Sequence, residues 1–369
     1  MNTHKRYSWW LVGLVVGGIS ILLTTGFYLQ PLSGDQTRLG GYAENDFGWN
    51  QPQRVFTKPA PPLQRTYEHY SDVLVVADSF SFAGNVGQLN YPWQTFLTAK
   101  TGLSVSTIIH YLEGLETPTY DPFMLHKIIN SETFQKTPPR IFIMEVIERQ
   151  LGILYDLPGD CQAEPDITAS LTFNPVDDLK ASEWVYRDLT RPPMLEQLTY
   201  AKKYFLRYFK ALWEKRSIVE RLDLTTGKLF SNHQSDRLLV YEDDLKKTSW
   251  DDNKLAIIQC QLIKMQNIIQ QNGKTLFIAM LVPDKLSAYS KYLRDQSLAN
   301  ISVIERLASN PALHLVRVDL PVKALIDEGV VDVYLPNDTH WAYRGQQAAA
   351  EAVAQYLRRF ESHQSQSKL

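Results

Sequence analysis

The stretch VLVVADSFSF, residues 73–82 of a 369-residue chain, sets four apolar positions, three of them valine, directly before Ala77, Asp78 and Ser79. A short apolar run rich in β-branched residues reads as a fully buried strand. Its end delivers a carboxyl and a hydroxyl side by side. Asp-Ser pairs also serve as helix N-caps, so the neighbouring segments have to decide between the two uses. Working outward, YPWQTFLTAKTG is predicted as a helix closed by Gly102, LSVSTIIHYL as a second strand, FMLHKIIN as a helix and RIFIMEVI as a third strand. Farther on, NKLAIIQCQLIKMQNIIQQNG predicts a long amphipathic helix ended by Gly273, KTLFIAMLVP a buried strand, HLVRVDLP another, and GQQAAAEAVAQYLRRF a closing helix. Strands alternating with helices predict an α/β domain whose parallel sheet carries helices on its faces. In such sheets the loops at the carboxyl ends of the strands carry the chemistry.

Upstream, SWWLVGLVVGGISILLTTGFYL (residues 8–29) holds no charge and matches the roughly 20 residues that cross a bilayer. Lys5 and Arg6 precede it, and Trp9, Trp10 and Tyr28 stand where interfacial aromatics belong. The positive-inside tendency then predicts residues 1–7 in the cytoplasm and a single-pass membrane protein whose body faces the periplasm or the cell exterior, the anchor lying in the inner membrane in the first case. A cleaved signal peptide is the alternative, although TTGFYLQPLSGD offers no small-x-small site. Residues 30–70, which include KPAPPLQ, read as an extended tether. The main domain is expected over 71–360, with a helical insertion at about 151–250 and a disordered tail over 361–369. Within the insertion, TYAKKYFLRYFKALWEKR (residues 199–216) predicts an aromatic helix whose other positions are mainly basic, Lys202, Lys203 and Lys210 among them. Such a helix either lies on a bilayer or an acidic polymer, or packs its aromatics on the main domain. With 38 Lys and Arg against 40 Asp and Glu, the net charge of −2 gives no reason to expect nucleic acid. No Cys/His cluster suggests zinc. Cys161 and Cys260 either pair in an oxidising compartment or stay two small hydrophobes.

LPNDTHW, residues 335–341, lies in a loop just before the closing helix. Asp338 and His340 are two apart, so in an extended segment they leave the same side and the carboxylate can hold the imidazole. A serine nucleophile needs that pair: His340 takes the hydroxyl proton of Ser79, and Asp338 fixes the tautomer and stabilises the imidazolium. A strand ending in Ala-Asp-Ser and a D-x-H-W loop before the final helix resemble the first and last blocks of the SGNH (GDSL-like) hydrolase superfamily. MEVIERQL (144–151), LVPDKLSAYSKYL (281–293) and NDTHWAYRGQQAAAEAVA (337–354) resemble segments of its branch of alginate O-acetyltransferase proteins. The resemblance spans about residues 72–357 and leaves the insertion unmatched.

It implies a flavodoxin-like, three-layer α/β/α parallel sheet and a catalytic set of Ser79, His340 and Asp338. Oxyanion or substrate contacts are expected from the backbone N–H of Ser79, from Gly114 and from Arg149, the last being equally placed for a salt bridge with Glu145 or Glu148. Trp341 is either a face for a sugar ring or a core side chain. Lys285 and Tyr289 are expected to serve the architecture of the domain. Three departures accompany the resemblance. In the alginate proteins the D-x-H-W block precedes the serine block, whereas Ser79 comes first here. Ala77 replaces the usual glycine, and the hydrolases' third-block asparagine has no counterpart after RIFIMEVI. The implied activity is a membrane-anchored, periplasm-facing O-acetyltransferase that moves an acetyl group through an acyl-serine onto hydroxyls of an exported polysaccharide. Its acetyl donor would be a membrane-bound O-acyltransferase, and the scheme needs no metal or diffusible cofactor. A polysaccharide acetyl esterase differs only in letting water resolve the acyl-serine. A non-catalytic polysaccharide-binding or assembly subunit is the alternative of another class.

Overall fold

Continuous valine and isoleucine runs make strands that can be buried on both faces, and the computed structural model places them at the centre of the molecule. It describes residues 3–29, 34–51, 53–56, 62–64, 66–81, 92–109, 122–153, 157, 159–164, 171–175, 181–185, 198–199, 201–202, 205–206, 209 and 218–367. In chain order the described strands are β1 (Gln53–Phe56), β2 (Leu63–Gln64), β3 (Val73–Ala77), β4 (Val105–Ile109), β5 (Ile141–Ile147), β6 (Ala181–Val185), β7 (Val219–Asp223), β8 (Arg237–Tyr241), β9 (Leu276–Val282) and β10 (Leu315–Val316). Six of them form one parallel sheet in the order β10-β9-β5-β3-β4-β2. Apart from the short edge strand β2, this is the flavodoxin-like order, in which the first strand of the unit, β3, lies between the second and the third.

Alternation along each strand feeds two cores. Val73, Val75, Ile141 and Ile143 face the helix Trp93–Thr101 and the closing helix through Trp93, Leu97, Ala349 and Val353. Leu74, Phe142, Met144 and Val146 face the helix Asp252–Gln270 through Ile258, Leu262 and Ile269. The molecule is therefore a three-layer α/β/α sandwich. Gly102 ends its helix at φ 72°, and a β-carbon there would stand 1.9 Å from the Asn174 carbonyl oxygen. An L side chain is excluded at that position on both counts.

Several expectations change. Residues 34–51 are no tether: they form two short helices, Asp35–Gly40 and Glu44–Phe47, with Gln36, Thr37 and Glu44 buried. Their polar composition imitates a linker because the groups that hold them are far along the sequence: Gln36 accepts from Lys285, Glu44 accepts from Asn337, and the Thr37 backbone N–H donates to Asn337 O. The region 151–250 contains strands as well as helix. β6 pairs antiparallel with β1, and β7 pairs antiparallel with β8. The closing helix runs Tyr343–Ser367, into the stretch expected to be a disordered tail. Most of the aromatic helix at 199–216, including Lys203 and Lys210, lies outside the described residues; Leu206 and Phe209 are exposed and Ala201 is buried. At the N-terminus the helix Thr3–Leu29 contains a candidate membrane span, Thr3–Thr25, of mean hydropathy 1.7, none of it buried against the rest of the protein.

Cys161 and Cys260 are joined in a disulfide across a sequence separation of 99 residues. It ties the start of the insertion to the helix Asp252–Gln270, where Asn267 also donates to the Gln162 carbonyl at 2.8 Å. Replacing both cysteines by serine is expected to lower the unfolding free energy of the oxidised protein by about 2–5 kcal/mol. Denaturant melts with and without reductant measure this, and the reductant should have no effect on the double variant.

Candidate active site

β3 stops at Ala77, and the turn after it is held by Asp78, whose carboxylate accepts from Phe80 N at 2.9 Å and from Ile147 N, at the end of β5, at 3.1 Å. Asp78 therefore ties two neighbouring strand ends together and presents Ser79, half-buried, in a single turn Ser79–Ser81. This is the point at which the strand order reverses, where open α/β sheets leave a crevice. The Ser79 hydroxyl lies 2.7 Å from His340 Nε2, and His340 Nδ1 lies 2.5 Å from Asp338 Oδ1. An ionised carboxylate only accepts, so Nδ1 carries the hydrogen and the neutral ring accepts the Ser79 proton at Nε2. The ring of Phe80 packs 4.9 Å from the imidazole and fixes its plane.

The loop bearing Asp338 and His340 is a tight turn rather than an extended segment. A bridge between Tyr334 and Trp341 closes it, and Leu335 N donates to the His340 carbonyl at 2.9 Å. Asp338 reaches the imidazole because its Oδ1 also accepts from His340 N at 3.0 Å, the local side-chain turn that aspartate favours. Lys285, fully buried at the start of the helix that follows β9, points its ammonium into this turn. It donates to Leu335 O at 2.8 Å, Pro336 O at 3.0 Å, Asp338 O at 3.2 Å and Gln36 Oε1 at 2.9 Å. The segment 34–48 grips the turn from the other side. Glu44 accepts from Asn337 Nδ2 at 2.8 Å and from Gly34 N at 3.1 Å, while Thr37 N donates to Asn337 O at 3.2 Å. Gly34 is so close that a β-carbon would stand 2.0 Å from the Asn337 carbonyl oxygen. Asp35 completes the grip: its N–H donates to Asp338 Oδ2 and its Oδ1 accepts from Thr339 N, both at 2.9 Å.

The remaining expected residues fall in different places. Arg149, after β5, reaches the turn through Thr339 Oγ1 at 3.2 Å, but its ion pair is with Asp244 at 3.2 Å and not with Glu145 or Glu148. Its guanidinium also stacks 4.8 Å above the Tyr241 ring. Glu145 is buried and accepts from Ser81, while Glu148 accepts from Val303 N and stands 3.7 Å from Lys247. Trp341 is fully buried, edge-on to Phe80 at 5.0 Å, and offers no face to a sugar. Its chain neighbour His340 points to the serine, so Trp341 points into the core. Gly114 lies outside the described residues. Among the described residues, Asp35, Asp338 and His340 bring ligand atoms within 4.8 Å of one another, near enough to share a cation, yet those atoms are already engaged with each other and with the turn. Asp35, Tyr241, Asp244 and Thr339 were not singled out from the sequence. Only Thr339, inside the D-x-H-W block, carried any local signal.

Burial disfavours the His340 imidazolium, but the charge and hydrogen bond of Asp338, then Asp35 and Asp78, carry its pKa above the ordinary 6.5. Burial likewise works against the Asp338 carboxylate, and His340 with its hydrogen bonds holds it below the usual range. Asp35 is pushed up to about 6 by burial and by the neighbouring Asp338. Burial lowers Lys285 to about 7 against the pull of Asp338, Asp35 and Asp332. Because only neutral His340 accepts a proton, the rate at which a fluorophosphonate phosphonylates Ser79 is expected to rise with pH and to reach half-maximum above 6.5. The raised His340 pKa also means that its charged form stabilises the fold. That contribution is complete below 6.5 and is lost as pH rises through the raised value, which thermal melts across that window check. Lys285→Met leaves the Leu335, Pro336 and Asp338 carbonyls without their donor. The expected cost is about 3–5 kcal/mol together with much slower Ser79 labelling.

Residues 235–368 match the family model described as the SGNH hydrolase-like domain of the acetyltransferase AlgX. The match takes in the Lys285 segment and the Asp338–His340 turn, and it does not reach the Ser79 strand. No curated protein matches the chain, and no solved structure does. A domain of that kind supports an enzyme of acyltransferase or hydrolase type. Over residues 235–368, which include the Asp338–His340 turn, the chain is thus similar to the AlgX-type SGNH hydrolase-like domain, and the sheet order and strand-end serine of the rest of the chain agree with that likeness.

Proposed function

We propose that the protein is a membrane-anchored O-acetyltransferase that works on the periplasmic side and acetylates hydroxyls of an exported polysaccharide through an acyl-serine. The observation that carries this reading is the 2.7 Å contact between Ser79 and His340 at the switch point of the sheet, with Asp338 behind the ring. Ser79 Oγ attacks the acyl carbonyl of the donor while its proton passes to His340 Nε2. The imidazolium then returns that proton to the leaving group, and the acyl-serine ester remains. A sugar hydroxyl enters, gives its proton to Nε2 and attacks the ester; collapse of the tetrahedral species returns the proton to Ser79 Oγ and frees the acetylated sugar.

Three further observations support the reading. The match over 235–368 is to an acetyltransferase domain. A disulfide suits an oxidising compartment. Leu29 ends the apolar helix only six residues before Asp35, and six residues span at most about 20 Å. An acyl donor held in the bilayer, such as a membrane-bound O-acyltransferase, is then within reach of the site, and acetyl-CoA is not needed outside the cytoplasm.

Ser79→Ala and His340→Ala are expected to lower acetyl transfer by roughly 10³-fold or more in folded protein, with Asp338→Asn close behind. In a deletion strain the acetyl content of the exported polysaccharide should fall, and the wild-type gene but not Ser79→Ala should restore it. A rise in acetyl content would instead assign a polysaccharide esterase. Full activity of Ser79→Ala would remove the acyl-serine.

A further inference from the structure

We propose that Asp35 is a second carboxylate for His340, a positioning residue through which the segment following the N-terminal helix completes the active site. The inference rests on Ser79 and His340 as the reacting pair. Asp35 Oδ2 lies 3.9 Å from His340 Nδ1, just outside the 2.5 Å contact of Asp338. The two aspartates clasp reciprocally: Asp35 N–H donates to Asp338 Oδ2, and Thr339 N–H donates to Asp35 Oδ1. With Oδ2 of Asp338 committed to Asp35, Oδ1 is the oxygen left for the imidazole. The Tyr241 hydroxyl favours the charged form of Asp35, and the Tyr241 ring in turn lies under Arg149. The carboxyl is oriented by the Thr339 N–H.

An asparagine would keep the contact to Thr339 without bringing a second acid beside Asp338. What the acid adds is charge. When His340 takes the Ser79 proton, its imidazolium forms between two carboxylates, and each lowers the energy of that intermediate. The charged and titratable groups around the pair are Asp338 and His340 on the turn, Tyr241 at the end of β8 with Arg149 stacked on it, Lys285 beneath the turn, and Asp78 beyond the imidazole. Asp35 itself titrates close to pH 6. A chain shortened to begin after residue 65 keeps Ser79, Asp338 and His340 and loses this group.

The test uses the full-length protein in detergent micelles with ¹³C-labelled histidine, the His340 resonance being assigned from His340→Gln. In Asp35→Asn the titration midpoint of His340 should fall by about half a pH unit or more. Fluorophosphonate labelling of Ser79, measured above both midpoints, should slow about tenfold. Asp35→Glu should restore most of the midpoint. Tyr241→Phe, which removes only the hydroxyl donor, should move the midpoint in the same direction by less, and it serves where Asp35→Asn does not fold. A His340 midpoint unmoved in Asp35→Asn, or in Tyr241→Phe if that is the folded variant, overturns the proposal and leaves Asp35 as packing. If labelling of the wild type survives Ser79→Ala, the acyl-serine reading fails, while the His340 titration still decides the role of Asp35.

Discussion

The ammonium of Lys285, buried beneath the turn that carries Asp338 and His340, is the interaction on which the site depends. Three backbone carbonyls of that turn and the Gln36 side chain converge on it. A turn of buried, inward-pointing carbonyls is unfavourable unless something donates to it. Lys285 supplies the donors from a short helix anchored by Asp284, whose carboxylate caps that helix at Ser287 N and pairs with Lys247. The imidazole is placed against Ser79 because the turn can adopt one shape around this cation.

Charge is concentrated at the carboxyl ends of the strands to a degree that packing alone would not favour. Glu148, Lys247, Asp284, Asp244 and Arg149 form a buried set behind the turn, joined through Thr339 and Tyr241 to Asp35. Buried ion pairs contribute little net stability, but removing one member leaves an uncompensated charge. Such a set specifies one arrangement of the loops. Here that arrangement is the one in which Ser79, His340 and Asp338 line up, and the apolar layers above and below the sheet carry the stability instead.

The layers were legible in the sequence because burial on both faces demands continuous apolar strands, and β3, β5 and β9 are written that way. The serine and the Asp-x-His turn were legible because both stand at the ends of such elements. Residues 34–48 were not. Asp35, Gln36, Thr37 and Glu44 are polar and lack periodicity, and their burial is compensated by residues about 250 to 300 positions away, which no local window contains. The same holds for Tyr241 and Asp244, which sit in a region whose irregular composition suggested an appendage. Trp341 shows the converse: an aromatic beside the histidine of an Asp-x-His turn admits a ligand face or the core from sequence alone, and since adjacent residues in a turn face opposite ways, this one went to the core.

The clasp between Asp35 and the turn at 338–339 joins nearly the first residue after the apolar N-terminal helix to nearly the last loop of the domain. A chain that emerges N-terminus first has the Asp35 side of this contact available long before its counterpart has been synthesised. Contacts of such sequence separation form late, since the loop they close must be ordered first. The contact between Ser79 and His340 is therefore among the last features to be assembled as the chain folds. A chain whose synthesis stops short of residue 338 carries Ser79 with no imidazole beside it, so an unfinished molecule holds the hydroxyl without the group that would take its proton.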